Sequence, residues 1–137
     1  MDTNPNWSLN AGYAARNQFE KFNKSHPREY QSLFANLDKI LTLLKQGRKI
    51  GGFHVGFFRS ESDGLFRIGQ TGVSHALESR LYIYPDSETR ILYILGIGDK
   101  SEQQGDINAA KKQIETIRKA QPRKAQPPPP EISKNQL

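Results

Sequence analysis

Hydrophobic residues recur at helical spacing between residues 26 and 47 of the chain. They lie three or four positions apart and so share one face of a helix: Tyr30, Leu33, Phe34, Leu37, Ile40, Leu41 and Leu44. Pro27 suits a first helical turn, and Gly47 suits the left-handed position that ends a helix. Upstream, Asn10 is a candidate cap for a second helix whose apolar face holds Ala11, Ala15, Phe19 and Phe22. The pattern therefore predicts a helical hairpin, and a short strand over residues 7–9 is left open before it.

The period of the pattern changes to two after residue 52, which is typical of β-strands. In the segment around residue 82, Leu81 and Ile83 alternate with Arg80, Tyr82 and Tyr84, so the two sets face opposite sides of a sheet. Turn sequences separate the alternating runs into two hairpins. The predicted strands cover residues 53–58, 65–69, 77–84 and 90–97. The last run is almost wholly apolar, which predicts a central strand covered on both faces.

A closing helix is predicted from residue 101 to about Lys119. Ser101 and Gln104 have the spacing of a capping box, and an apolar stripe follows at Ile107, Ala110, Ile114 and Ile117. The fold class is therefore α+β, with an N-terminal helical hairpin, a four-stranded antiparallel sheet and a C-terminal helix. We expect one domain over residues 1–119, including a short N-terminal extension.

Charge is concentrated at the C-terminal end of the 137-residue chain. The formal net charge is +6, and residues 118–137 hold five basic residues against one acidic residue. This segment is rich in proline and poor in large apolar residues, so we predict a disordered, Pro-rich basic tail over residues 120–137. The chain has no cysteine, which excludes disulfides, thiol nucleophiles and cysteine-containing zinc sites. No apolar run is long enough to span a bilayer, and we expect a cytoplasmic protein without membrane contact.

Several kinds of catalytic site are disfavoured by the spacing of the polar residues. His26, His54 and His75 never pair at helical metal-ligand spacing, so no metal and no cofactor are expected. The segment 96–101 differs from a phosphate-binding loop because Asp99 precedes Lys100. A hydrolase nucleophile elbow is also missing.

The remaining candidates are cations and phenols on the predicted strands: Arg67, Arg80, Tyr82, Tyr84 and Arg90, with Lys100 just beyond the last strand. A guanidinium binds phosphate through two parallel hydrogen bonds, and an aromatic ring stacks on a base, so this set favours RNA binding. The alternative is an ordinary solvated face of a sheet.

Three stretches of sequence together resemble a known family. They are residues 33–47 (LFANLDKILTLLKQG), residues 64–68 (GLFRI) and residues 80–110, which begin RLYIY and end DINAA. The order of elements and these stretches resemble the RelE/ParE superfamily of type II toxin-antitoxin toxins over residues 28–119.

The resemblance implies a ribosome-dependent mRNA endoribonuclease that assists attack of a 2′-hydroxyl on the adjacent phosphodiester. It carries Arg80 onto the arginine of the family's R-L-x-x-Y strand, where it would hold the scissile phosphate. Arg67 and Lys100 fall at basic positions that would assist it, while Tyr82, Tyr84 and Arg90 would contact RNA. The sequence departs from the family where a proton-transferring Tyr or His is common, because residues 101–106 contain neither.

Two other functions stay open on the same fold. One is a ParE-like inhibitor of DNA gyrase that cleaves nothing, and the other is a non-catalytic RNA- or protein-binding module. A toxin of this kind implies a cognate antitoxin protein as partner, bound by the helical hairpin and an edge of the sheet, besides mRNA and the ribosome.

Overall fold

The computed structural model describes residues 6–121, which form a sheet with helices on both faces. The elements are β1 (Ser8–Asn10), α1 (Arg16–Ser25), α2 (Pro27–Lys45), β2 (Phe58–Ser60), β3 (Phe66–Gly69), β4 (Ser79–Asp86), β5 (Ile91–Asp99) and α3 (Gln103–Ala120). Single turns of 3₁₀ helix cover Ile50–Gly52 and Lys100–Glu102. The α+β class is thereby confirmed.

The helical hairpin is confirmed, but its first helix begins later than predicted. In α2 the predicted apolar face is buried, and Gly47 has a φ of +82° just beyond the helix end. By contrast, α1 begins at Arg16, because Asn10 is taken up in β1 and its side chain accepts a hydrogen bond from the Gly12 N–H (2.7 Å). Asn10 therefore caps a turn after the strand rather than a helix.

The sheet has five strands in the order β1-β5-β4-β3-β2, and it is mixed. The four antiparallel strands predicted from the sequence correspond to β2–β5. The fifth, β1, pairs in parallel with β5, so the prediction of a purely four-stranded antiparallel sheet is wrong in this detail. The short strand left open over residues 7–9 is present as β1, but its partner lies about eighty positions away, so no local pattern indicates the pairing.

The first predicted strand was also misplaced. Residues 53–57 form no ladder, and β2 begins only at Phe58. The alternating Phe53, Val55 and Phe57 are all partly buried against the core beneath α2. Their period of two therefore reflects packing of an irregular segment and not pairing with a neighbouring strand.

Two hydrophobic cores lie on opposite faces of the sheet. Leu81 and Ile83 of β4 pack with α1 and α2, whereas Tyr82 and Tyr84 pack under α3. A β-bulge opposite the Tyr82/Ile83 step inserts one extra residue into β5. On the two sides of the bulge, the odd-numbered side chains of β5 therefore point to opposite faces of the sheet. The strand β5 lies between β1 and β4 and is covered on both sides, as its apolar sequence predicted.

The helix α3 follows directly on the 3₁₀ turn Lys100–Glu102 and ends at the edge of the described chain. The Asp99 carboxylate caps that turn by accepting a hydrogen bond from the Ser101 N–H (2.8 Å), whereas α3 itself has no side-chain cap, so the predicted capping box of Ser101 and Gln104 is wrong. Arg118, in the last turn of α3, donates to the Tyr84 hydroxyl (3.3 Å) and to the Asp63 carbonyl (3.2 Å). The predicted tail lies outside the described residues from residue 122 onward. Within residues 6–121, no helix combines the length and apolar character that a membrane crossing needs.

Candidate functional site

Three arginines surround one hollow of about 440 Å³ at the open side of the sheet, here called the arginine pocket. Its lining includes Arg59 on β2, Arg67 on β3 and Arg80 on β4. Arg59 lies opposite Arg67 in the ladder, and Arg80 lies opposite Gly69, two positions along β3. All three side chains therefore project to the face that carries α3. Since α3 packs mainly on β4 and β5, this face of β2 and β3 stays open.

The Arg80 side chain is held rigidly at the base of the pocket. The residue is only 8% exposed, so the alternative of an ordinary solvated face does not describe Arg80. It donates hydrogen bonds to the Glu78 carboxylate (3.0 Å), the Gln103 side-chain oxygen (3.3 Å) and the Ser79 carbonyl (3.4 Å). Gln103 is the first residue of α3, so the helix start orients the guanidinium.

The Arg67 guanidinium is paired with a second carboxylate. One of its terminal nitrogens lies 3.1 Å from a Glu61 oxygen, with side chains 21% and 18% exposed respectively. A guanidinium carries five N–H donors, and this pair engages one nitrogen. Arg67 thus keeps donors for an anion in the pocket.

Lys100 is connected to the arginine pocket by its ion pair with Glu78. Its ammonium lies 3.6 Å from the second Glu78 oxygen, and its side chain is 66% exposed at the rim. The hydrogen bond from Arg80 and the charge of Lys100 lower the pKa of Glu78 below its usual range. Glu78 is therefore ionised at neutral pH and links two of the three residues expected to be catalytic.

Sequence reasoning missed Arg59, Glu78 and Gln103. Arg59 lies opposite Arg67 because β2 covers residues 58–60 and pairs with β3. The strand predicted over residues 53–58 ends before Arg59, so the sequence pattern gives no reason to pair the two arginines. Glu78 lies two positions from Arg80, immediately before β4, and no pattern in the sequence shows that its side chain turns toward Arg80.

The three residues expected to contact RNA are not gathered at the pocket. Tyr82 is fully buried beneath α3, and Tyr84 is 7% exposed under the Arg118 guanidinium, which lies 5.3 Å from its ring centre. Neither ring is available to stack on a base, so those two roles are wrong for this arrangement. Arg90 is exposed at the turn between β4 and β5, the end of the hairpin remote from Arg80, about 20 Å away by strand rise.

We expect Tyr82→Phe to leave RNA binding unchanged and to raise the free energy of unfolding by about 1 kcal/mol. The Tyr82 hydroxyl is buried without a hydrogen-bond partner among residues 6–121, and removing such a group removes its desolvation cost. Urea unfolding and RNA-binding titrations of the two proteins measure both quantities. Weaker RNA binding by the variant would restore Tyr82 to the interface.

Asp106 is a half-buried acid in the first turn of α3. It lies against Gly98, the residue opposite Arg80 in the ladder, and a Cβ added at Gly98 would clash with its carboxylate. One of its oxygens is buried without a hydrogen-bond partner in the described part of the chain. Burial, followed by the charges of Glu102 and Asp99, raises the pKa of Asp106 to about 6.

Asp106→Asn is expected to stabilise the protein at pH 7.5 but not at pH 3.5. Because the folded pKa of Asp106 (about 6) exceeds the ordinary value of 3.8, its favourable contribution is complete below about pH 4 and is lost as the pH rises through 6. Allowing for partial solvent screening, we expect a gain of about 1–2 kcal/mol at pH 7.5. Urea unfolding at both pH values measures it, with the exposed Asp38→Asn as control. A gain that is equal at both pH values would contradict this origin.

The described residues form no cluster of metal ligands at the pocket. None of the lining residues is a histidine, and no three His, Asp or Glu residues among positions 6–121 are grouped as a metal site would require.

The comparisons with known proteins supply no relative from which a function could be transferred. No family model, no curated protein and no solved structure matches the chain. Membership of the RelE/ParE superfamily therefore stays a prediction that rests on the sequence resemblance.

Proposed function

We propose that the arginine pocket binds a phosphodiester of RNA and that the chain is a ribosome-dependent mRNA endoribonuclease, the toxin of a type II toxin-antitoxin pair. The observation that carries the proposal is the convergence of Arg59, Arg67 and Arg80 on one open hollow. Two of them are oriented by carboxylates, which makes the site preorganised for an anion.

The charge of the pocket supports this assignment. Three guanidinium groups face two carboxylates, those of Glu61 and Glu78, and Lys100 adds a cation at the rim. The local excess of positive charge suits a phosphodiester, and it suits the pentavalent transition state better because that state carries more negative charge. Arginine also matches phosphate oxygens through two parallel hydrogen bonds.

The proposed reaction is cleavage by the neighbouring 2′-hydroxyl. The bond from O2′ to phosphorus forms while the bond from phosphorus to O5′ breaks, which leaves a 2′,3′-cyclic phosphate and a 5′-hydroxyl. Arg67 and Arg80 bind the non-bridging oxygens, ionised Glu78 accepts the 2′-hydroxyl proton, and Lys100 donates a proton to O5′. The lowered pKa of Glu78 makes it a weak proton acceptor, so we expect slow cleavage of free RNA and dependence on alignment by the ribosome.

A second candidate function is a non-catalytic RNA-binding module. It is favoured by the pocket lining, which contains arginines but no histidine or tyrosine among the described residues. Such a site would bind phosphate equally well and lack an efficient proton donor and acceptor.

The two edge strands of the sheet are the candidate binding sites for the proposed antitoxin. The edge strands β1 and β2 each contain three residues. Leu9 in β1 is the one large apolar side chain that is exposed among residues 6–121, and it lies on an edge strand. We therefore propose that an antitoxin segment adds to an edge strand through main-chain hydrogen bonds.

The deciding experiment supplies the full chain to ribosomes programmed with a defined mRNA. Primer extension should reveal cuts at the A-site codon, and the upstream product should carry a 2′,3′-cyclic phosphate. Binding of RNA without any cut would identify the non-catalytic module, whereas inhibition of gyrase supercoiling without RNA cleavage would identify the ParE-like inhibitor. Either result would overturn the nuclease.

A further inference from the structure

A second hollow, of about 540 Å³, adjoins the arginine pocket and is here called the α2 groove. One wall is a face of α2 that carries Arg28, Ser32 and Lys39 at helical spacing, and the other is the segment 71–74. Neither the sequence motifs nor the proposed cleavage reaction uses this hollow.

The lining of the α2 groove carries cations and neutral groups. Arg28 and Lys39 are exposed, and no acidic side chain contributes to the lining. Within the described chain, neither of the two cations forms an ion pair. Glu29, the neighbour of Arg28, is buried and bonded to the Leu77 N–H (3.0 Å), so it turns away from the groove.

The outer wall of the groove is fastened to α2 by hydrogen bonds. The Ser32 hydroxyl donates to the Thr71 carbonyl and accepts from the Thr71 N–H, both at 2.8 Å. The buried Asn36 side chain donates to the Gly69 carbonyl (2.8 Å). These bonds join α2 to the end of β3, so the groove is built into the fold rather than formed by a loose loop.

The two hollows adjoin at the end of β3, with the three arginines on one face of the sheet and α2 on the other. Thr71 lines both of them. Lys39 of the α2 groove lies over the Phe57 ring, 5.9 Å from its centre, and Phe57 lines the arginine pocket. A ligand that extends from the arginine pocket past Thr71 therefore comes to the two cations of the α2 groove, Arg28 and Lys39.

We infer that the α2 groove is a second phosphate subsite for single-stranded RNA. Lys39 and Arg28 bind phosphates of nucleotides neighbouring the one in the arginine pocket. A positively charged groove that follows the backbone is a usual means of binding a single strand without sequence preference. The inference rests on the proposed function for the identity of the ligand as RNA.

The test compares binding of short and long oligouridylates to the full chain. Fluorescence anisotropy competition with a trinucleotide and an octanucleotide, at several salt concentrations, is carried out on wild type, Arg28→Ala and Lys39→Ala. We expect each variant to bind the octanucleotide about three- to tenfold more weakly and to reduce the salt slope by about 0.7, the value per phosphate contact for single strands. Binding of the trinucleotide should be unchanged. Thermal melts should coincide because both side chains are exposed.

Lys45→Ala is the matched control, since Lys45 is an exposed lysine of α2 outside both hollows. An equal loss of affinity in Lys45→Ala and Lys39→Ala would show a general effect of charge and overturn the subsite. So would equal affinity of wild type for the two RNA lengths, or no binding of either. The ribosome cleavage assay is independent: cleavage with a length-independent affinity refutes the subsite alone, and length-dependent binding without cleavage refutes the nuclease alone.

Discussion

Arg80→Ala is expected to lower the rate of A-site mRNA cleavage by at least about a hundredfold. A preorganised cation that acts on transition-state charge contributes on the order of 2–4 kcal/mol to the barrier. Arg80 is oriented by Glu78 and Gln103, so its guanidinium needs no rearrangement when the charge develops. Cleavage is measured by primer extension under single-turnover conditions.

The same substitution should also cost stability, in contrast to the expectation for an arginine on a solvated face. Arg80 is 8% exposed and donates three hydrogen bonds, so we expect the free energy of unfolding to fall by about 1–2 kcal/mol. Activity is therefore compared at a temperature at which melts show both proteins folded. Arg80→Lys keeps the charge but loses the planar fork, and it should retain an intermediate rate.

Arg16→Ala serves as the matched control, because the Arg16 side chain is 89% exposed and forms an ion pair with Glu20 on α1, outside the arginine pocket. It should cleave at the wild-type rate. Equal cleavage by Arg80→Ala and wild type would remove Arg80 from the mechanism and leave the pocket to binding.

Leu33→Ala should have the largest effect on folding among these substitutions. Leu33 is fully buried in the core that joins α2 to the sheet, so its truncation leaves a cavity there. Buried leucines replaced by alanine typically lower the free energy of unfolding by about 2–5 kcal/mol. Urea unfolding monitored by circular dichroism measures the change.

Leu9→Ala is the control for this stability effect. Leu9 is 47% exposed on the edge strand β1, and its replacement should change the free energy of unfolding by less than about 0.5 kcal/mol. If Leu33→Ala lost no more than Leu9→Ala, the apolar stripe of α2 would not be the structural core inferred from its spacing.

The candidate site was only partly predictable. Arg67 and Arg80 were identified because they alternate with apolar residues on strands, and the structure brings them to one pocket. Lys100 is linked to Arg80 through Glu78, whose contribution depends on the direction of its side chain and left no pattern in the sequence. Tyr82 and Tyr84 share the face of Arg80 as predicted, but α3 covers both rings. The same face of the sheet stays open over β2 and β3, where α3 does not reach.

The sequence by itself determined the elements whose pattern is local. The stripe of α2, the two faces of β4 and the stripe of α3 follow from neighbours two to four positions apart, and each was located to within a few residues. Only the tertiary structure decided the parallel pairing of β1 with β5, the position of Arg59 opposite Arg67, and which part of the sheet α3 covers. These features depend on contacts between residues far apart in the chain. Their free energy comes from burying surfaces that meet only after folding, so no local period records them.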